Sequence, residues 1–171
     1  SAHVGVAMGS GSQIAKDAGD IILLNDNFAS IVHAMREGRT IFANIRRMLF
    51  YLLSTNIGEV LTNLGALVMG MPMPLVPVQI LWINLVTDTT MVIPLGLEPG
   101  EKTTMKQKPA KPDAPILGKY MISRIILIAA VMAVLALILY AFYSERYGVD
   151  YARTIVFTAL VVVQWANAFN A

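Results

Sequence analysis

The sequence predicts a mainly α-helical, polytopic membrane bundle, with four transmembrane helices arranged as two hairpins and preceded by the tail of an α/β domain. Three observations carry that expectation. Of the 171 residues, 56% are hydrophobic and 14% charged, and mean hydropathy is +0.62, too apolar for a soluble domain of this size. Four stretches reach the ~17 to 25 largely apolar residues that a bilayer crossing requires at ~1.5 Å rise per residue. The segment before them is different, with short apolar runs separated by Gly, Ser and Asp.

Composition also excludes classes. Formal net charge is +2, and no Lys/Arg stripe with interleaved aromatics occurs, so nucleic acid is not an expected partner. The absence of cysteine removes disulfides, thiolate metal sites and thiol catalysis. Ser1-Ala2-His3 is not the basic opening of a signal peptide and position 1 is not Met, so the chain is expected to be a piece of a longer polypeptide.

Taken in order, residues 1–27 hold two short buried strands, Val4 to Met8 and Asp20 to Leu24, around a Gly/Ser turn and a short helix over Gln13 to Ala18. This is one βαβ-like unit. Gly9-Ser10-Gly11-Ser12 lacks both the Lys-Ser/Thr of a phosphate loop and full GxGxxG spacing, so a tight strand-to-helix turn accounts for it better. Asn25-Asp26-Asn27 supplies N-cap chemistry for a helix beginning near Phe28. Ile31, Met35, Ile41, Ile45 and Met48 then recur at helical spacing, and Gly38 is the weak point. A cytosolic helix over 28–47 therefore continues into the first span, 48–71, as one lever.

The second span is 75–97, joined to the first by the short Gly70-Met71-Pro72-Met73-Pro74 linker. The third covers 120–143 and the fourth 152–171, with Ser144 to Tyr151 turning between their apolar runs. Arg36, Arg39, Arg46 and Arg47 precede the first span, and Lys102, Lys106, Lys108, Lys111 and Lys119 lie in or at the end of the 98–119 connector. This excess of Lys and Arg places the N-terminal segment and that connector in the cytoplasm, with the bilayer as the chain's surroundings. Pro99, Pro109, Pro112 and Pro115 stiffen the connector. Its basic charge reads first as a solvated loop, and alternatively as a contact for a neighbouring domain or anionic lipid.

The intramembrane polar groups carry the chemistry. Residues three or four apart share a helix face, so Asn56 and Glu59 point one way in the first span, and Asn84, Thr87 and Asp88 form one patch in the second. A carboxylate in hydrocarbon costs several kcal/mol, and such residues face a cavity or partner. No Lys or Arg lies at their depth, so a proton, a basic residue from elsewhere or a bound cation must neutralise them. Carboxylates with amide and hydroxyl oxygens suit hard cations such as calcium or sodium, and do not suit zinc or copper. Gln164 and Asn167 share a face of the fourth span and could add amide oxygens, with Trp165 beside them reading as packing. The bland alternative is interhelical hydrogen bonding, preferred for Asn63 and Asn170 taken singly.

These residues carry a resemblance. VGVAMGSGSQIAKDAGDIILLNDN (4–27) and EGRTIFANIRR resemble the end of the phosphorylation domain and the stalk helix of P-type cation-transporting ATPases. STNIGEV (54–60) and PVQILWINLVTD (77–88) are similar to the fifth and sixth transmembrane helices of the calcium-pump branch. The resemblance implies that Asn56, Glu59, Asn84, Thr87 and Asp88 match cation ligands, with Gln164 aligned where the eighth helix supplies a further one. It implies a membrane pump, in the cell membrane, that exports calcium from the cytosol. It also implies ATP and Mg²⁺ as cofactors of the complete enzyme alone, and as partners the nucleotide-binding domain, the actuator and the remaining transmembrane helices. DKTGT, TGES and GDGxND do not occur within the chain, so by itself it is not expected to catalyse phosphoryl transfer, and no catalytic residue is assigned.

Two departures bear on the ion. Where sarcoplasmic-reticulum-type pumps have Gly and Pro soon after the TD pair, Thr89, Thr90 and Met91 stand here and Pro94 comes later, so unwinding of the helix is less expected. VVVQWAN (161–167) is closer to the sodium/potassium-pump version, and a neutral Gln164 predicts one calcium per cycle or a monovalent ion. Gly58, where sodium/potassium pumps usually have Pro, keeps calcium ahead. The remaining alternative is a non-enzymatic, channel-like or regulatory membrane fragment.

Overall fold

The computed structural model describes residues 4–101, 103–106 and 115–171. Expectations for Lys102, Lys108, Lys111, Pro109 and Pro112 lie outside the described residues. The chain forms two compact units: Ser1–Phe42 with Pro99–Lys108, and Ala43–Glu98 with Pro109–Ala171.

In the first unit, β1 (Val6–Met8) and β2 (Ile21–Leu23) pair in parallel, Val6 opposite Ile21 and Met8 opposite Leu23, with helix α1 (Gln13–Asp17) between them in sequence. Ser12 caps α1 by accepting from the Ala15 amide at 3.3 Å. The Gly-Ser turn is a tight strand-to-helix connection. A Cβ on Gly9 would stand 2.8 Å from the Leu23 carbonyl oxygen, so no larger residue fits without moving backbone. The Ser10 amide donates to Asp26 Oδ1 at 3.0 Å. That bond holds the Asp26 carboxyl below its ordinary pKa, because a donated N–H favours the ionised form. Asp26 itself sits at φ 51°, a left-handed conformation that Asp tolerates.

Helix α2 (Ala29–Val68) starts one residue after the expected Phe28, where Asn27 Oδ1 accepts from the Ala29 amide at 2.9 Å. Gly38 does not interrupt it, and a Cβ there would meet open space. Residues up to Phe42 belong to the first unit and the rest of α2 to the second.

The second unit continues through α3 (Pro77–Trp82), a π-helix (Ile83–Asp88), α4 (Thr89–Gly96), α5 (Lys119–Tyr147) and α6 (Val149–Ala168). Helix α2 ends in a Schellman motif: Gly70 at φ 70° gives its N–H to Leu67 O, and Met71 N bonds Ala66 O at 2.9 Å. The next segment is tied back when Asn63 Oδ1 accepts from the Leu75 amide at 3.2 Å, which makes Asn63 polar glue. Asn170 is exposed and its side chain makes no hydrogen bond among the described residues. Between α5 and α6 the turn is far shorter than the 144–151 stretch that the sequence suggests. Gly148 alone, at φ 90°, reverses the chain, since glycine enters that region without a Cβ penalty.

Burial in this unit is inverted relative to a soluble protein. Ser54, Thr55, Glu59 and Thr62 are buried, while Val60, Leu64, Leu67 and Val68 on the same helix are exposed. Such a surface is compatible with lipid and not with water. Among the described residues, Pro77–Gly96, Lys119–Tyr147 and Val149–Ala168 are long and apolar enough to cross a membrane. The second half of α2 is not among them, and Asn56, Glu59, Thr62 and Asn63 lower its hydropathy. The core between α5 and α6 is built from Met132, Ala136, Tyr140, Ala152, Val156 and Leu160, with Leu75 from the first hairpin. Alanines at these contacts let helix backbones approach closely.

Candidate cation site

About three turns of α2 set one wall. Tyr51, Thr55 and Glu59 repeat every four residues and all are buried, with Asn56 alongside. The hydroxyls on this wall turn inward to their own backbone: Ser54 Oγ and Thr55 Oγ1 donate to Tyr51 O, and Thr62 Oγ1 to Gly58 O. They leave the carboxylate and the amide to reach other helices.

Both acids do so. Gln164 Nε2 of α6 donates to Glu59 Oε1 at 2.7 Å, and Asn56 Nδ2 of α2 donates to Asp88 Oδ2 at 3.2 Å. Glu59 is 3% exposed, Asp88 6% and Gln164 0%, so these bonds lie out of solvent. Asn167 Nδ2 adds a third link, to Ser54 Oγ at 2.8 Å. Among the described residues neither acid forms an ion pair with Lys or Arg.

What remains unpartnered is oxygen. Asn84 Oδ1, Thr87 Oγ1, Asp88 Oδ1 and Gln164 Oε1 are buried without a hydrogen bond, as is the Tyr51 hydroxyl. Buried polar atoms in a settled interior are nearly always satisfied. These orphaned oxygens accompany two buried acids that have no Lys or Arg partner among the described residues. Among the described residues no three of His, Cys, Asp and Glu come together in a group that could hold a metal ion.

The backbone supports the same geometry. Asn84, Thr87 and Asp88 all lie on the π-helix Ile83–Asp88, a widened turn that loosens the ladder and re-aims side chains. The segment stays helical from Pro77 to Gly96, so the turn is widened rather than unwound, in line with the sequence expectation of less unwinding. Thr90 Oγ1 donates to Val86 O at 2.7 Å and Thr87 O at 3.0 Å, tying carbonyls of the widened turn to the helix that follows. Below it, Asn44 Nδ2 donates to Gly96 O and Glu98 O at 3.1 and 2.8 Å, and Arg47 pairs with Glu98 at 3.0 Å.

Of the residues chosen from sequence, Asn56 and Asp88 are joined by one bond, Glu59 and Gln164 by another, and Asn84 and Thr87 share the π-helix with Asp88. Tyr51 and Ser54 were missed. Counting back from Glu59 in steps of four reaches Thr55 and Tyr51, a signal that an aromatic ring near the span's end obscured. Trp165 is 45% exposed, on the outer side of α6, as packing or anchoring requires.

Inverted burial, membrane-length helices and an oxygen-lined interior define a polytopic membrane bundle with a polar centre. The chain belongs to the cation transporting ATPases: residues 72–171 match the family described as Cation transporting ATPase, C-terminus, the C-terminal transmembrane region of P-type pumps. It is 42% identical to a calcium-transporting ATPase of Bacillus subtilis over 99% of its length, and 38% identical to a probable cation-transporting ATPase F of Mycobacterium bovis over 99%. It is 44% identical to the endoplasmic reticulum calcium ATPase srcA of Aspergillus fumigatus over 72% of its length. These alignments cover 19%, 19% and 13% of the relatives, so the chain spans about a fifth or less of their length.

Proposed function

We propose that this chain is the cation-binding transmembrane portion of an ATP-driven P-type pump that exports calcium from the cytosol across the cell membrane. Residues 1–27 are then the end of the phosphorylation domain, 28–47 the stalk, and 48–71, 75–97, 120–143 and 152–171 the fifth to eighth transmembrane helices. The observation that carries the reading is the pair of buried acids, each held by an amide N–H from another helix and without a basic partner.

Those amides suggest how the site works. Asn56 Nδ2 and Gln164 Nε2 occupy positions beside the carboxylates that an arriving cation would claim. Binding would turn the amides so that their oxygens, with Asn84 Oδ1, Thr87 Oγ1 and Asp88 Oδ1, face the metal. The cation thereby neutralises two charges that hydrocarbon does not solvate. ATP and Mg²⁺ act in the parts of the pump beyond these residues, where a phosphorylated aspartate is formed. The stalk part of α2 then couples that step to exposure of the site on alternate sides. The names of the Bacillus and Aspergillus relatives favour calcium, whereas the uncharged Gln164 supports a monovalent ion as the second reading.

The test uses the full-length pump in proteoliposomes. Glu59→Gln and Asp88→Asn should abolish cation-dependent phosphorylation from ATP while leaving phosphorylation by inorganic phosphate intact. A panel of calcium, sodium, potassium and manganese then identifies the ion that activates the wild type. Normal cation activation in both variants would overturn the ligand assignment, and activation by sodium or potassium alone would replace calcium. Absence of any cation-dependent phosphoenzyme would leave the non-enzymatic fragment.

A further inference from the structure

A second polar feature of the membrane unit lies away from the two acids. A cavity of about 190 Å³ opens between α2, the first turn of α5 and the end of α6, lined chiefly by Arg46, Arg47, Phe50, Tyr120, Arg124 and Asn170. Three guanidinium groups share it, and no Asp or Glu is among its described lining residues, which also include Met121 and Ala171. Arg47 is engaged by Glu98 at 3.0 Å and by Asn44 Oδ1 at 3.4 Å. Arg46 and Arg124 are half-buried and have no carboxylate partner among the described residues. Arg124 instead stacks on the buried Phe50 ring, its Cζ 4.9 Å from the centroid. That contact fixes the plane of the guanidinium and leaves its N–H edge free to donate.

The first turn of α5 adds to the positive field. The earliest intrahelical bond there runs from Ile122 N to Gly118 O, so the amides of Lys119, Tyr120 and Met121 have no partner within the helix. A 29-residue helix presents a partial positive charge at that end. Depth follows from sequence. Arg46 and Arg47 directly precede the span that starts at Met48, and Arg124 directly precedes the apolar run from Ile125. Whichever way the bundle faces, these groups stand at the level of lipid headgroups.

One stacked arginine with a second beside it, helix-end amides without an intrahelical partner and an aromatic floor at headgroup depth match the phosphate of a phospholipid. We infer that this cavity is a binding site for the phosphate of an acidic phospholipid, gripped by Arg46 and Arg124, with the chain's lipid tails lying along α5. Exposed Ile122, Ile126 and Leu127 continue from the cavity residues along that helix and supply the apolar track. The site is separate from Glu59 and Asp88 in residues and in ligand, and it does not depend on which cation is transported.

Full-length protein, purified in mild detergent from membranes containing phosphatidylglycerol and phosphatidylcholine, is compared by native mass spectrometry with Arg46→Gln/Arg124→Gln. Losing two charge-assisted donors should lower retention of phosphatidylglycerol over phosphatidylcholine by about tenfold or more. Arg124→Lys should recover part of it, because charge returns without the stacked fork. Arg36→Gln, outside the cavity, should match wild type, and cation-dependent phosphorylation of all variants reports that they are folded. Three results would overturn the inference. One is equal retention in wild type and double variant, as expected if a later segment of the chain fills the cavity. Another is wild type without preference for the acidic lipid. The third is displacement of the lipid by millimolar inorganic phosphate, which would mark a site for soluble phosphate.

Discussion

The two hairpins of the membrane unit place polarity in opposite positions. In the first, Ser54, Thr55, Glu59, Thr62, Thr87 and Asp88 are buried, and one arm abandons α geometry over Ile83–Asp88. In the second, both arms stay α-helical and the buried set of α5 is Ile125, Ala129, Met132, Ala133, Ala136 and Tyr140. Small apolar residues make the second hairpin a close-packed backing, whereas the first holds polar groups that a packed interior would reject. Gln164 and Asn167 are the polar members of the buried set of α6, and both donate to α2. The contrast is therefore local: one hairpin gathers the buried polar side chains, and the other is packed mainly through apolar residues and donates two amides to α2.

Truncating the backing should show the difference most strongly. Met132 is 2% exposed and sits in the core with Leu75, Ala136 and Leu160. Met132→Ala removes buried methylenes and the thioether and should cost about 2–5 kcal/mol of stability, read as a lower thermal unfolding midpoint of the full-length protein. The cation concentration that half-activates phosphorylation should stay near wild type. A variant that unfolds normally but loses cation activation would erase the distinction between support and site.

Gln164 tests the exception. Gln164→Leu keeps most of the volume but removes both the Nε2 donor to Glu59 and the unpartnered Oε1. Loss of one such contact to a charged group is worth roughly 1.4 kcal/mol or more, about tenfold in an equilibrium constant. The half-activating cation concentration should rise by that factor with little change in thermal midpoint. An unchanged concentration would confine Gln164 to packing and return the second hairpin to a purely structural part.

Much of this contrast is legible in the residues themselves. A lone Glu59 or Asp88 in an apolar run has to be buried against something, and Asn-Asp-Asn before a helical pattern marks where α2 begins. The π-helix is not legible, because its widened turn depends on which carbonyls find donors. Thr90, rather than a Gly-Pro pair, satisfies Val86 and Thr87 here. Nor does local pattern reveal Tyr51, whose complete burial is decided by neighbours distant in sequence. The single-residue turn at Gly148 was hidden for a related reason: Glu145, Arg146 and Asp150 look like loop charges, but Glu145 and Arg146 ride on the last turn of α5, and Asp150 opens α6.

Asp26 gives the smallest effect and the outer limit of the comparison, as a carboxylate in the first unit whose partner is a backbone amide. Its folded pKa lies below the ordinary 3.8, the Ser10 N–H being the main cause. A depressed acid stabilises the folded state fully above its unfolded value, and that stabilisation is lost as pH falls through the lower folded one. Because Asp26 is fully exposed, solvent screens the interaction and the change in stability should be slight. The chemical shift of the Ser10 amide, followed from pH 6 downward, should titrate with a midpoint below the ordinary carboxylate value. Asp26→Asn should abolish that titration while keeping a residue that tolerates φ 51°. A Ser10 shift that titrates at the ordinary value would show the bond to be absent in solution, and the tight turn would then rest on Gly9 and its backbone bond to Leu23 alone.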